Sequence, residues 1–137
     1  MKLIDTNVFV YSLGSDHPYR EPSLATLRRI RESEINANIS TEILQELLHV
    51  YRRRNQLQLG IELFDDLAGQ FPQPLPIVAA TAIIARDVLE RYPSLQARDA
   101  FHAAVVFEHN LEGIISADRA FDRIEGLTRF DPKELAA

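Results

Sequence analysis

Lys2-Leu3-Ile4-Asp5-Thr6-Asn7-Val8 is the stretch that decides how this chain is read. A short apolar run meets Asp-Thr-Asn with no helix cap before it. The spacing predicts a first strand over Lys2–Ile4 that stops at its carboxyl edge, then the start of a helix. In open α/β sheets, ligands bind outside the carboxyl ends of the strands. Asp5 therefore stands where chemistry is expected. Gly113 to Ser116 repeats the device: a buried strand runs into Ser116-Ala117-Asp118-Arg119. Asp118 takes the strand-end place that Asp5 takes first.

Between these two strand ends, helical and extended patterns alternate. Val8 to Leu13 reads as a short helix and Gly14 to Pro18 as a loop. Pro22 to Glu32 has helical spacing at Leu24, Leu27 and Ile30. Asn36 to Ile39 reads as a short strand. Ser40 or Thr41 is a good N-cap for the strongest helix, whose apolar face carries Ile43, Leu44, Leu47, Leu48, Val50 and Tyr51. Further helices are expected over Gln56–Gly69, Ala79–Arg91 and Arg98–His109, with a short one over Ala120–Ile124. Phe71 to Pro76 is a proline-rich connector, Leu75 to Val78 a candidate strand, Leu127 to Phe130 a last strand, and the rest a tail. Short apolar strands alternating with helices predict an α/β fold. The expected form is a three-layer α/β/α sandwich with a short, mostly parallel central sheet, in one domain over residues 1–137.

Composition narrows the chemistry. The 137 residues are 46 % hydrophobic and 26 % charged, enough for one sizeable core. There is no cysteine, which excludes disulfides and thiolate metal sites. A metal would be held by oxygen or histidine, and oxygen-rich sites favour Mg²⁺ or Mn²⁺ over zinc. No secretory signal is visible, because Asp5 and Asn7 break the apolar start. The longest apolar stretch, Ile77 to Ala85, is about half of a bilayer span. A soluble, cytoplasmic protein without a membrane partner is the expectation. The net charge of −5 lacks the basic footprint of nucleic-acid binders. Bound divalent cations would offset it locally, and nearly all the basic residues are arginines, either a genomic bias or a set suited to bidentate phosphate contacts.

Four acids sit against apolar sequence in a fixed order: Asp5, Glu46, Asp99 and Asp118. Two unit charges ~4 Å apart repel by roughly 4 kcal/mol at an effective dielectric of about 20. A protein that gathers such acids normally binds a divalent cation there. Each acid also has a plainer reading. Asp5 or Thr6 could simply cap a helix, and so could Asp118. Glu46 falls at the edge of its helix's buried stripe, where a solvated glutamate would also fit, while Glu42 falls at the centre of the polar face. Asp99 shares a stripe with Ala103 and Val106 on a helix that is apolar almost all round. A buried charge there needs a partner, which Arg98 or a helix N-terminus could supply. Asp122 lies one turn beyond Asp118. Thr6 and Ser116 place hydroxyls at the two strand ends, where they could orient a carboxylate. His102 is one turn from Asp99, but a lone histidine on an apolar helix reads as a satisfied core residue. His17, His49 and His109 receive no role. Arg52-Arg53-Arg54 reads as favourable charge at a helix C-terminus rather than an RNA-backbone patch.

The order Asp-Thr-Asn-Val, Leu-Gln-Glu-Leu-Leu, Asp-Ala-Phe-His-Ala-Ala and Ser-Ala-Asp-Arg-Ala-Phe resembles the PIN domain. More narrowly, it resembles the ribonuclease toxins of VapBC toxin–antitoxin modules. The resemblance runs from Ile4 to about Phe130 and rests on all four motifs together. It implies a Mg²⁺- or Mn²⁺-dependent endoribonuclease whose acids fall on Asp5, Glu46, Asp99 and Asp118. Asp122 matches a less regular acid, and Thr6 and Ser116 match hydroxyl positions. It also implies a homodimer neutralised by a separate antitoxin, whose tail places a basic residue in the acidic pocket. The acidic net charge departs from more basic relatives.

The expected chemistry is two-metal phosphodiester hydrolysis, with Asp5, Asp99 and Asp118 around one cation and Glu46 with Asp5 at the second. No protein nucleophile is needed, in keeping with the absence of cysteine and of a Gly-x-Ser-x-Gly elbow. Three alternatives stand beside it. A phosphatase of the haloacid dehalogenase type needs a second Asp two residues after the first, where this chain has Asn7. A PIN-like RNA-processing nuclease without a toxin role would keep the same acids. A non-catalytic PIN scaffold would have no reason to keep buried like charges.

Overall fold

The structure, a computed structural model, describes residues 1–136. Four short strands form one sheet: β1 (Lys2–Ile4), β2 (Ala37–Asn38), β3 (Ile114–Ile115) and β4 (Arg129–Phe130). Their spatial order is β2-β1-β3-β4, and every pairing is parallel. Seven helices connect and flank them: α1 (Thr6–Leu13), α2 (Arg20–Arg31), α3 (Thr41–Arg53), α4 (Leu57–Gln70), α5 (Ala79–Arg91), α6 (Ala97–Glu108) and α7 (Pro132–Leu135). A 3₁₀ turn over Arg119–Arg123 stands where a short helix is expected. Leu75 makes only an isolated bridge to Ser40, not a strand, and the expected tail contains α7.

The two central strands explain the layers. Side chains alternate across a strand, and Leu3 and Ile114, paired in register, enter one core while Ile4 and Ile115 enter the other. The first core is closed by α5 and α6 with Phe121 and Ile124, the second by α1, α2, α3 and α4. All four strand residues are fully buried. A sheet covered on both faces is the setting in which parallel strands are stable. Gly113 is required at the start of β3: a Cβ there would lie 2.1 Å from the Thr128 carbonyl oxygen, where β4 approaches. The carboxyl ends of β1 and β3 lie side by side, and that is where the polar residues meet.

Candidate active site

Asp5 occupies the N-cap position of α1, yet its side chain makes no cap bond. Its Oδ2 accepts from Ser116 Oγ at 2.6 Å, across the ends of β1 and β3. Ser116 Oγ in turn accepts from the Asp118 N–H at 2.9 Å and from Asn7 Nδ2 at 3.2 Å. Ser116 is fully buried. The hydroxyl is thus a fixed hub that aims one carboxylate. The capping alternative for Asp5 fails on this geometry. Ser40, by contrast, does cap α3, accepting from the Ile43 N–H.

Glu46 lies on the buried face of α3. Its Oε2 accepts from Thr6 Oγ1 at 2.7 Å. Its Oε1 stands 2.9 Å from His102 Nε2, which is also 3.7 Å from Asp5 Oδ1. The ring N–H is not aligned on either carboxylate. Glu46 Oε1 and both His102 ring nitrogens are buried without a hydrogen bond among the described residues. Such groups cost free energy unless something satisfies them. One ligand atom each from Asp5, Glu46 and His102 lie within 4.8 Å of one another. Carboxylate oxygens and an imidazole nitrogen are a suitable donor set for a divalent cation. The group could hold a metal, and an ion bound there would satisfy the orphaned Glu46 oxygen.

Burial pushes the His102 imidazole down, but Glu46, Asp5 and Asp99 outweigh it, and the net direction is up. Burial pushes Glu46 up, but His102 chiefly, with Thr6 and Arg98, brings it below its ordinary value. Burial raises Asp5 despite His102 and Ser116. These directions favour the ionised forms of His102 and Glu46 and the neutral form of Asp5.

Asp99, in the first turn of α6, is buried and makes no side-chain hydrogen bond among the described residues. Burial, then the like charges of Asp5 and Asp118, raises it to about 6. That coupling places three acids in one field. Arg98 opposes the rise but does not form an ion pair with Asp99. Asp118 is exposed, and its Oδ1 caps the 3₁₀ turn by accepting from the Ala120 N–H, so the capping alternative holds for one of its oxygens. A cavity of about 230 Å³ joins these groups, lined by Asp5, Thr6, Glu46, Asp99 and Asp118 together with Asn7, Val10, Tyr11, Val50, Arg54 and Arg98. Asp122 is not among its walls. It grips Arg129 through both oxygens, at 2.9 and 3.3 Å, and meets the site only through the Arg129 bond to the Ser116 carbonyl.

Three residues depart from the sequence reading. His102 is wholly buried as expected of a core residue, but it is unsatisfied and faces two acids. Its place three residues after Asp99 on one helix was the available signal. Glu42, expected at the centre of a polar face, is half-buried, and burial, then Glu46, raises its carboxyl. Asn7, which the sequence gives no part in the site, bonds Ser116 and accepts from the Ala117 N–H at 3.4 Å.

Comparison with known proteins places this geometry. The PIN domain family model matches residues 2–127. The chain is 35 % identical to ribonuclease VapC13 of Mycobacterium tuberculosis over 136 residues, 94 % of this chain and 98 % of that one. It is 30 % identical to ribonuclease VapC7 of the same organism, over 96 % of this chain and 92 % of that one. In fold it is similar to FitAcB from Neisseria gonorrhoeae (TM-score 0.75, 22 % identity, 97 % of this chain and 99 % of that one). It is also similar to VapBC2 from Rickettsia felis bound to a promoter DNA fragment (TM-score 0.74, 16 % identity, 95 % and 97 %). With its acids gathered at the carboxyl edge of a parallel sheet, the chain belongs to the PIN domain family, among the VapC proteins.

Proposed function

We propose that this chain is a divalent-metal-dependent endoribonuclease, the toxin of a toxin–antitoxin pair, acting in the cytoplasm as a single-domain protomer of a homodimer. The observation that carries the reading is the buried triad of Asp5, Glu46 and His102, with Glu46 Oε1 left without a hydrogen bond and Asp99 raised to about 6 beside it. The names of the relatives, ribonucleases VapC13 and VapC7, agree with it.

Asp5, Glu46 and Asp99 would hold the ion, Mg²⁺ or Mn²⁺, with Asp118 at the solvent side of the pocket. When bound, it would lower the pKa of the attacking water and offset charge on the phosphate. Ser116 fixes the direction of the Asp5 carboxylate, and Thr6 that of Glu46. His102 holds Glu46 and Asp5 together from behind, inside the core. Arg54 and Arg98 line the cavity and form no ion pair among the described residues, so they are free to meet RNA phosphates. Asp122 supports the Ser116 strand end through Arg129. The same acidic cavity suits a basic antitoxin side chain, which would replace the ion's charge.

The test is cleavage of RNA by the purified chain in Mn²⁺ or Mg²⁺, against EDTA and against Asp5→Asn. Cleavage that needs the ion and leaves 5′-phosphate and 3′-hydroxyl ends supports the reading. Cleavage that persists in EDTA, or is equal in Asp5→Asn, removes it.

A further inference from the structure

Three aromatic rings stand together beside the acidic cavity and serve neither hydrophobic core. Tyr11 stacks on His17 with centroids 4.4 Å apart and planes 17° apart. It also stacks on Tyr19, at 5.8 Å and 25°. Neither Tyr11 nor Tyr19 belongs to the two core clusters or packs against them. His17 is exposed in the loop before α2, and Tyr11 is half-buried on the last turns of α1. Core packing therefore does not explain the trio.

The rings are nonetheless held firmly. The Tyr19 N–H donates to His17 Nδ1 at 3.1 Å, which leaves Nε2 to carry the proton of the neutral ring. The Tyr19 hydroxyl donates to Asp131 Oδ2 at 2.8 Å, and Lys133 Nζ lies 4.5 Å from the Tyr19 ring centroid. Asp131 is itself bonded by Arg129. The platform is thus tied to the strand end that carries Ser116. Of the three, Tyr11 reaches the cavity and forms part of its wall, beside Asn7 and Val10.

We infer that the Tyr11 ring, backed by His17 and Tyr19, is a stacking platform for an unpaired RNA base next to the phosphate that is cut. The inference rests on the nuclease reading and adds a positioning residue: Tyr11, which holds one unpaired base beside the cut. Aromatic rings take any base, because every base has a π face, and stacking is sequence-tolerant. A base held in a duplex keeps its neighbours as stacking partners and cannot lie on the ring. Arg54 and Arg98 on the same cavity supply the charge that a backbone on either side of the platform needs.

The test uses the full chain in Mn²⁺ with short unpaired RNA oligonucleotides that carry one 2-aminopurine at successive positions, and with matched duplexes. Stacking quenches that fluorophore. Wild type and Tyr11→Phe are expected to quench it at one position beside the cut, and Tyr11→Leu to lose the quench. Tyr11→Leu should raise KM about 10–100-fold with kcat little changed. An abasic nucleotide at that position should cost wild type a similar factor and cost Tyr11→Leu nothing more. This arm also covers a Tyr11→Leu chain that fails to fold, since wild type alone must respond to the abasic site. Equal quenching and KM in Tyr11→Leu, an abasic substrate cut as well as the intact one, or duplex cut as well as single strand would overturn the inference while leaving the nuclease standing. If wild type cuts no RNA at all, the nuclease reading falls first and the platform with it.

Discussion

Ser116 Oγ donates to Asp5 Oδ2 at 2.6 Å, joining residues 111 positions apart at the ends of two neighbouring parallel strands. Local sequence puts each residue at a strand end but does not name its partner. The bond exists because β1 and β3 pair in register, Ile4 opposite Ile115, so that the next residue of each chain emerges at the same edge. Ser116→Ala should leave Asp5 without its orienting donor. Mn²⁺ affinity by calorimetry is expected to fall about 10–100-fold, the usual effect of removing a group that orients a metal ligand. An unchanged affinity would mean that the hydroxyl only stitches the strand ends.

Asp99 carries a cost in the metal-free protein. Its folded pKa, about 6, lies above the ordinary 3.8. The folded state therefore binds the proton more tightly than the unfolded chain. The neutral form's contribution is fully present below pH ~4 and is lost as pH rises through about 6. Asp99→Asn removes that penalty. Its melting temperature in EDTA at pH 7–8 should equal or exceed wild type, with no gain near pH 4, while RNA cleavage falls at least about 100-fold. A clear loss of metal-free stability at pH 7 would show that Asp99 is a structural partner instead.

His102 should behave in the opposite sense at the same site. Its imidazole faces Glu46 and Asp5, whose charges favour its protonated form in the metal-free chain. Breaking a buried pair by removing one partner costs about 3–5 kcal/mol. His102→Ala is expected to unfold at markedly lower urea in EDTA, and Mn²⁺ should restore part of the difference. If urea midpoints match with and without His102, the imidazole does not hold the acids.

Asp131 gives the aromatic platform its pH dependence. Burial raises its carboxyl, but the Lys133 N–H, Tyr19 and Arg129 outweigh it, and the net direction is down. A depressed acid contributes stability that is present above its unfolded pKa and lost as pH falls through the folded one. Acidification below pH ~4 should therefore loosen Tyr19, visible as a change in tyrosine emission in this tryptophan-free chain. Asp131→Asn should show the loosened spectrum already at neutral pH and lose that acid transition.

For the partner, co-expression with the product of the adjacent reading frame should relieve growth arrest caused by this chain. Replacing the basic residue that enters the acidic cavity by alanine should restore the arrest. The free chain is expected to run as a dimer by light scattering. A monomer that does not slow growth would remove the toxin role and leave the PIN nuclease.

Much of this was legible in the sequence. Strand β1, the capped helix α3 and strand β3 were readable because each combines a clear apolar period with a stop: Asp5, Ser40 and Ser116. Those signals are local, and they fixed the α/β alternation and the order of the acids. Element ends shifted by at most two residues, as where α1 starts at Thr6 rather than Val8. Leu75 made a single bridge because the connector's prolines remove the donors a strand needs.

What only the tertiary structure decided is which atom faces which. The wheel of α3 puts Glu46 at the rim of a stripe, but it cannot say that Thr6 bonds one of its oxygens and His102 faces the other. Asp5 and Asp118 look alike in sequence, each following a strand. In space the first turns its carboxylate inward to Ser116, while the second caps an exposed turn. Asp122, one turn from Asp118, is drawn away by Arg129 of a strand that the sequence places seven residues on. The reason is physical: local periodicity determines which face of an element is apolar, whereas a buried charge is positioned by partners that arrive from distant elements.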